Sequence, residues 1–338
     1  MRFRVILLLL AIGLVCVPLL AGIPGFPKDP AISPDGNEVC FVFDDDLWIV
    51  PFQGGDARRL TSTKAREWGP IWSPDGQWIA FNSSREGLTY PYLIPAKGGE
   101  AEVIIRESYS IADWFNDGKH LLVLRGNAEF GSSMYKLPIS GERATLLGDV
   151  GDRWATLSPD NSKIVFSRNG YAHREAYTGS MNGELWLFDI ATKEYSRLTR
   201  TDHSERYPRY SHSSNSLYYC YADGQSFQLT RVDKMNFKRP VKLSNLKSFS
   251  ARDITIARAN DRIVFEHFDE IYKYDPASSD GSMISKLDIR IASDMWENPI
   301  LEFKMKNDLA DFAVSDDERL VSFTYKYDNF IVPRKGEI

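Results

Sequence analysis

Apolar residues along this chain come in short runs, and each run is broken by Gly, Pro, Asp or Asn rather than by a charged helical face. Val39-Cys40-Phe41-Val42-Phe43, Leu47-Trp48-Ile49-Val50 and Ile79-Ala80-Phe81 are typical. Short runs rich in β-branched and aromatic residues, bounded by such breakers, predict strands. The breaker that returns is the tetrapeptide Ser-Pro-Asp-Gly, at 33–36 and again at 73–76. Pro74 presets φ near about −65° at the first central position, Asp75 accepts hydrogen bonds from nearby backbone amides, and Gly76 takes the positive φ that closes the turn. With Ile71-Trp72 before it and Trp78-Ile79-Ala80-Phe81 behind, the unit reads as strand, turn, strand. Its serine and aspartate are structural.

The unit repeats. Asp35 to Asp75 is 40 residues, Asp75 to Asp117 is 42, and Asp117 to Asp160 is 43. Phe115-Asn116-Asp117-Gly118 and Ser158-Pro159-Asp160-Asn161 are the third and fourth copies. Tyr210–Ser214 and Ile256–Asn260 occupy the turn in the fifth and sixth, which lose the turn residues but keep the strand runs Leu217-Tyr218-Tyr219-Cys220 and Ile263-Val264-Phe265. A seventh start lies at Phe312–Asp317. Four short strands per repeat at this period predict the blades of a β-propeller, whereas a sandwich gives no reason for one tetrapeptide to return at a fixed interval. The expected architecture is all-β: a six-bladed propeller of four-stranded antiparallel blades over 29–290, a linker over 291–310, and the first strands of an incomplete second propeller over 311–338. The strand after each turn is the second of its blade, which favours blades complete in sequence.

Composition narrows the function. The net charge is −5, with Lys and Arg scattered, which argues against a nucleic-acid partner. Arg2 and Arg4 precede an uncharged apolar run from Val5 to Ala21, the pattern of a secretory signal over 1–22 or of an uncleaved anchor over 5–21. An exported protein, periplasmic or extracellular, is expected, touching membrane only through this segment. Val15 before Cys16 does not suit lipid attachment. Cys40 and Cys220 sit in strand runs of different repeats and read as buried free thiols. No metal-type spacing and no cofactor motif is present.

The turns, together with Asp46-Leu47-Trp48-Ile49-Val50-Pro51, Gly54-Gly55 and Arg59-Leu60-Thr61, resemble the propeller repeats of the tricorn protease family and of TolB-like periplasmic proteins. Tyr177-Thr178-Gly179-Ser180 before Glu184–Asp189 resembles the tricorn insertion in blade four. Lys286–Arg290 is similar to the exit from its six-bladed ring, and Val314–Glu318 through Val332-Pro333 to the start of its seven-bladed one. The resemblance implies a large serine peptidase acting on oligopeptides, whose catalytic domains lie beyond both propellers. On this reading the chain is its non-catalytic propeller portion, serving admission and filtering of peptides or assembly, with no catalytic residue and no activity of its own. Peptides, protein partners, downstream peptidase domains or further copies of the chain are the expected partners. The alternative is a TolB-like periplasmic propeller acting as a protein-binding scaffold.

No nucleophile elbow, zinc helix or phosphate loop appears. His120 and His267 read as edge or surface residues and His212 as a turn residue, while His173 and His203 show no base–nucleophile pattern. Asp44-Asp45-Asp46 lacks the Gly and distal Glu of a calcium loop and reads as a solvated turn. The stretch from Ser167 to Gly183 lengthens blade four and carries Arg168, Tyr171, His173, Arg174 and Tyr177 between glycines. Loops placed by a rigid scaffold carry binding residues, so these five form the candidate peptide-binding loop, against the alternative of a solvated long hairpin.

Overall fold

The computed structural model of the chain describes residues 26–127, 131–152, 154–169, 175–179, 181–247, 249–278, 282–291, 309–314, 320–325 and 328–333. Pro24–Ala292 form one compact unit. Its six blades follow each other along the chain, each an antiparallel sheet of four strands. Blade one holds β1 (Lys28–Ile32), β2 (Glu38–Phe43), β3 (Asp46–Pro51) and β4 (Gly55–Arg59). Blade two holds β5 (Glu67–Trp72), β6 (Trp78–Ser83), β7 (Tyr90–Pro95) and β8 (Glu102–Val103). Blade three holds β9 (Ser110–Trp114), β10 (His120–Asn127), β11 (Gly131–Pro138) and β12 (Thr145–Gly151). Blade four holds β13 (Thr156–Leu157), β14 (Lys163–Arg168), β15 (Glu184–Asp189) and β16 (Tyr195–Arg197). Blade five holds β17 (Glu205–Tyr210), β18 (Ser216–Ala222), β19 (Phe227–Asp233) and β20 (Val241–Lys242). Blade six holds β21 (Ala251–Ile256), β22 (Ile263–His267), β23 (Glu270–Tyr274) and β24 (Ile284–Lys286). The all-β six-bladed expectation holds, and every blade is complete in sequence.

The continuous apolar runs have a physical reason. A blade is packed on both faces, so side chains pointing either way are buried. Cys40, Val42, Leu47 and Ile49 pack against Ile79 and Phe81 of blade two. Their neighbours Val39, Phe41, Trp48 and Val50 pack against Val264 and Ile271 of blade six. The core is therefore a set of layers between blades.

The repeating turn behaves as its chemistry predicts. In blade two the Ser73 hydroxyl donates to Asp75 Oδ1 at 2.6 Å and accepts the Trp78 amide at 2.9 Å. Gly76, at φ 70°, donates its amide to the Ser73 carbonyl at 2.9 Å. Blade four repeats the pattern with Asn161 in the glycine position at φ 58°. There the Ser158 hydroxyl, with the amide and hydroxyl of Ser162, holds the Asp160 carboxyl down at about 2.

The solvated-turn reading of residues 44–46 holds for Asp44 and Asp45, which sit at positive φ and are exposed. It fails for Asp46, which is 1% exposed. Asp46 pairs with Arg59 and accepts the Thr63 amide at 2.9 Å. Thr61 in turn accepts the Leu47 amide at 2.8 Å. Blade four repeats this arrangement with Glu184, Arg197 and Thr199, whose hydroxyl accepts the Leu185 amide at 3.0 Å. The Arg-Leu-Thr motif thus locks the fourth strand of a blade onto its third.

Ring closure is the element the sequence left open. The Thr255 hydroxyl of β21 donates to the Pro30 carbonyl and accepts the Ile32 amide, each at 3.1 Å, joining the last blade to the first along the axis. On the outside, β25 (Ile289–Ile291) runs parallel to β4, with Ile289, Arg290 and Ile291 opposite Gly55, Asp56 and Ala57. Among the described residues no strand is exchanged between blades. The chain leaves blade six and is fastened to the outer edge of blade one, which covers that edge.

The segment beyond the ring is a separate unit. Its strands β26 (Leu309–Val314), β27 (Leu320–Tyr325) and β28 (Asp328–Pro333) form an antiparallel sheet in chain order. β26 carries a register irregularity between Ala310 and Ala313, like those between Lys28 and Ala31 in β1 and between Arg252 and Thr255 in β21. The leader, with Cys16, lies outside the described residues. Among the described residues no helix is long and apolar enough to cross a membrane.

Candidate functional site: the axial channel and its loop face

The first strands of the six blades surround the axis, and an irregularity in them shapes the channel. Asp29, Gly69, Tyr207 and Asp253 occupy matching positions in β1, β5, β17 and β21, all at positive φ. Each marks a bulge, which turns a stretch of backbone and its polar groups toward the axis. Two cavities of about 110 and 70 Å³ follow. They share Ile71, Ala112, Arg209 and Thr255 as lining, so they are consecutive segments of one channel.

The two ends differ in charge. Toward the start of the first strands, carboxylate oxygens of Asp29, Asp253 and Glu266 lie within 4.8 Å of one another. The Asp29 amide donates to Glu266 Oε1 at 2.6 Å, Gly69 donates to Asp29 Oδ2 at 3.2 Å, and the Trp154 indole donates to Asp253. Burial, reinforced by Asp253, pushes the Glu266 carboxyl up to about 8. Among the described residues these three carboxyls are a group whose chemistry could hold a hard cation. All three already accept protein N–H groups, and Glu266 also favours its proton.

Toward the Ser-Pro-Asp-Gly turns the channel is basic. The Arg209 guanidinium donates to the Trp154 and Pro208 carbonyls, each at 2.9 Å, and burial lowers its pKa. Arg258 comes from the blade-six turn and donates to the Asn116 side chain and, at 3.3 Å, to the Trp114 carbonyl. Asn116 and Trp114 belong to blade three, three blades away in a ring of six, so Arg258 reaches across the mouth. Among the described residues neither arginine meets a carboxylate in an ion pair. Asp113, the acid beside them, is engaged by the Thr156 hydroxyl at 3.1 Å and the Leu157 amide at 2.8 Å. His212 lines the same segment, its pKa lowered by burial and by Arg258. It is a turn residue as expected, turned inward to the channel.

Of the candidate loop, Tyr171, His173 and Arg174 lie outside the described residues. The Arg168 guanidinium sits 4.9 Å from the centre of the Trp186 ring, within its own blade. Tyr177 is half-buried. Glu175, not among the five, joins the loop to blade six. Its Oε1 accepts the Ser250 hydroxyl at 2.7 Å and the Arg252 guanidinium at 2.9 Å. The loop therefore reaches from blade four to blade six.

The other histidines are accounted for locally. His120 Nδ1 lies 2.7 Å from Asp117 Oδ2, His203 packs edge-on to Tyr221, and His267 packs on Tyr272. Cys40 and Cys220 are buried free thiols in different blades, each pushed up in pKa by burial. Sequence reasoning missed Arg209 and Arg258. Both stand in or beside the copies that had lost the turn motif, and nothing local signals that a side chain there points to an axis.

A family model described as the tricorn protease N-terminal beta propeller domain matches residues 24–280. Tricorn protease homolog 1 of Streptomyces coelicolor is 28% identical over 292 residues, covering 79% of this chain and 25% of that protein. Putative tricorn protease homolog 2 of the same organism is 42% identical over 169 residues, 45% of this chain and 14% of its own length. The chain thus spans a quarter or less of these relatives. Among solved structures, the tricorn protease superposes with a TM-score of 0.64 at 19% identity, over 91% of this chain and 30% of that one. A putative TolB from Agrobacterium tumefaciens gives 0.55 at 18%, over 67% and 86%. At these identities the structural likeness concerns the fold.

Proposed function

Because this chain belongs to the tricorn protease N-terminal β-propeller family, we propose that it is the non-catalytic propeller region of an exported tricorn-like peptidase, and that its axial channel receives peptide chains. The channel carries this reading: it runs between two unlike mouths, and bulged first strands line it with polar backbone. An extended peptide needs backbone partners along its length, and the bulged residues Asp29, Gly69 and Asp253 line the channel. Residues 311–338 are read as the first strands of a second propeller, since the sheet of β26, β27 and β28 repeats the strand order and first-strand irregularity of a blade. Export rests on the charged and apolar pattern of residues 1–22.

The test uses the buried state of Cys40 and Cys220. In a chain with Cys16 replaced by serine, Ser110→Cys places the one accessible thiol in the channel. Labelling it with a bulky maleimide is expected to abolish calorimetric binding of an unstructured octapeptide that the unlabelled chain binds. Undiminished binding after complete labelling sinks the channel as the peptide route. Hydrolysis of the same peptide by this chain alone, blocked by a serine-directed inhibitor, sinks the non-catalytic reading.

A further inference from the structure

The face opposite the Ser-Pro-Asp-Gly turns carries a further cavity, of about 210 Å³, among the loops of blades four, five and six. Two phenylalanines flank it. Phe249 precedes β21 and Phe268 stands in the two-residue loop between β22 and β23; their rings stack at 4.2 Å with an interplanar angle of 17°. Both are solvent-exposed, Phe249 at 42% and Phe268 at 68%. Phe268 adopts φ 61°. A hairpin loop of this length gives such a position to Gly, Asn or Asp, and a bulky residue there is strained. Exposure and strain both work against a phenylalanine at this position on grounds of stability, which points to a role outside the fold.

The cavity wall is acidic. Glu175 and Glu266 line it, and Asp29 and Asp253 stand directly behind Glu266. Arg252 is the cation among the lining residues, and it is paired with Glu175. Burial first, and then the charges of Asp253 and Asp29, raise the Glu266 carboxyl; with Glu175 paired to Arg252, those two aspartates carry the negative potential of the wall. A positive group entering the cavity would be drawn by this potential and by the negative faces of the two rings.

We propose that this pocket binds an ammonium or guanidinium group, a lysine or arginine side chain of a peptide or its free amino terminus, with Phe249 and Phe268 covering the aliphatic stem. The proposal rests on the peptide-binding reading above and names the chemical class of residue recognised. It also gives the blade-four loop a task, because Glu175 is that loop's contribution to the pocket.

The experiment measures binding of three acetylated, amidated pentapeptides of sequence Ala-Leu-X-Ala-Ala to the full chain, with X lysine, norleucine or glutamate. Blocked termini leave X as the one variable charge. The lysine peptide is expected to bind at least about tenfold more tightly than the norleucine peptide, with the glutamate peptide weakest. Phe268→Gly is expected to reduce lysine-peptide binding about tenfold while leaving Tm unchanged or raised, because glycine relieves the positive φ. Equal binding of the lysine and norleucine peptides overturns the cation pocket and leaves the peptide-binding reading standing. Failure of all three peptides overturns both. Full binding by Phe268→Gly, or a lowered Tm, overturns the role given to the ring pair and with it the proposal.

Discussion

Asp261 shows how a degraded repeat is repaired. It belongs to the blade-six turn and is 7% exposed. It accepts hydrogen bonds from Ser211 at 2.6 Å, Ser213 at 2.7 Å, Ser214 at 2.8 Å and Tyr218 at 3.2 Å, all of blade five. Blade five has no aspartate in its own turn, and its serines take the carboxylate of the next blade instead. Asp261→Ala removes one acceptor and strands the buried hydroxyls of Ser211 and Tyr218, so a loss of about 2–3 kcal/mol is expected in urea unfolding. An unchanged midpoint would mean that these hydroxyls find other partners. Glu205, 2% exposed, is a second case. Burial pushes its carboxyl up to about 7, against hydrogen bonding from Thr199. The folded state then holds a proton that the unfolded chain releases near the ordinary glutamate value, so this group's contribution falls as pH rises from about 4.5 to 7. Glu205→Gln is expected to remove up to about 2–3 kcal/mol of that decline, read from chemical denaturation across the same pH range.

At the scale of elements, the ring depends on two joints between its ends. Thr255→Val keeps the shape of the side chain and removes both hydrogen bonds to β1, at an expected cost of about 1–2 kcal/mol. The parallel pairing of β25 with β4 is the outer joint. Ile289 and Ile291 are half-buried against the layer between blades one and six. Replacing both with alanine is expected to cost about 2 kcal/mol, less than fully buried isoleucines would. Hydrogen exchange should then rise at the Gly55 amide, which donates to the Asp288 carbonyl at 2.9 Å. Exchange there that does not change would show β25 to be dispensable to the edge it covers. Neither joint was legible in the sequence. Thr255 lies in a copy whose turn had decayed, and a three-residue parallel strand carries too little pattern to announce its partner.

For the whole molecule, two sets of carboxyls pull stability in opposite directions along pH. Glu67, Glu205 and Glu266 are raised by burial and favour the folded state while protonated. Asp160 is held low by its serine and amide donors, and the turn aspartates Asp35 and Asp75 are lowered by theirs against the effect of burial. These groups stabilise above the unfolded value and give that up as pH falls. For these groups together the contribution to stability is greatest near about pH 4–5, with decline on both sides. A thermal-denaturation series across pH checks this, and a maximum above pH 8 would contradict it. The fold that carries these groups was largely legible, because the turn residues at 33–36, 73–76 and 158–161 act locally. The candidate site was legible only as a long loop, and Arg209, Arg258, Phe249 and Phe268 were not singled out.

Local chemistry accounts for what the sequence alone determined: strands from short apolar runs, turns from Ser-Pro-Asp-Gly, and blades from the spacing of those turns. A hydrogen bond between Ser73 and Asp75 needs only two residues of separation, so it can be read from the chain. Tertiary structure decided everything that depends on closing the ring. Closure carries Thr255 to Pro30, β25 to β4, Arg258 to Asn116 and Glu266 to Asp29. It alone turns six similar blades into one channel with an acidic and a basic end. Those contacts join residues as far as 237 positions apart, and no local pattern encodes which side chains will share an axis.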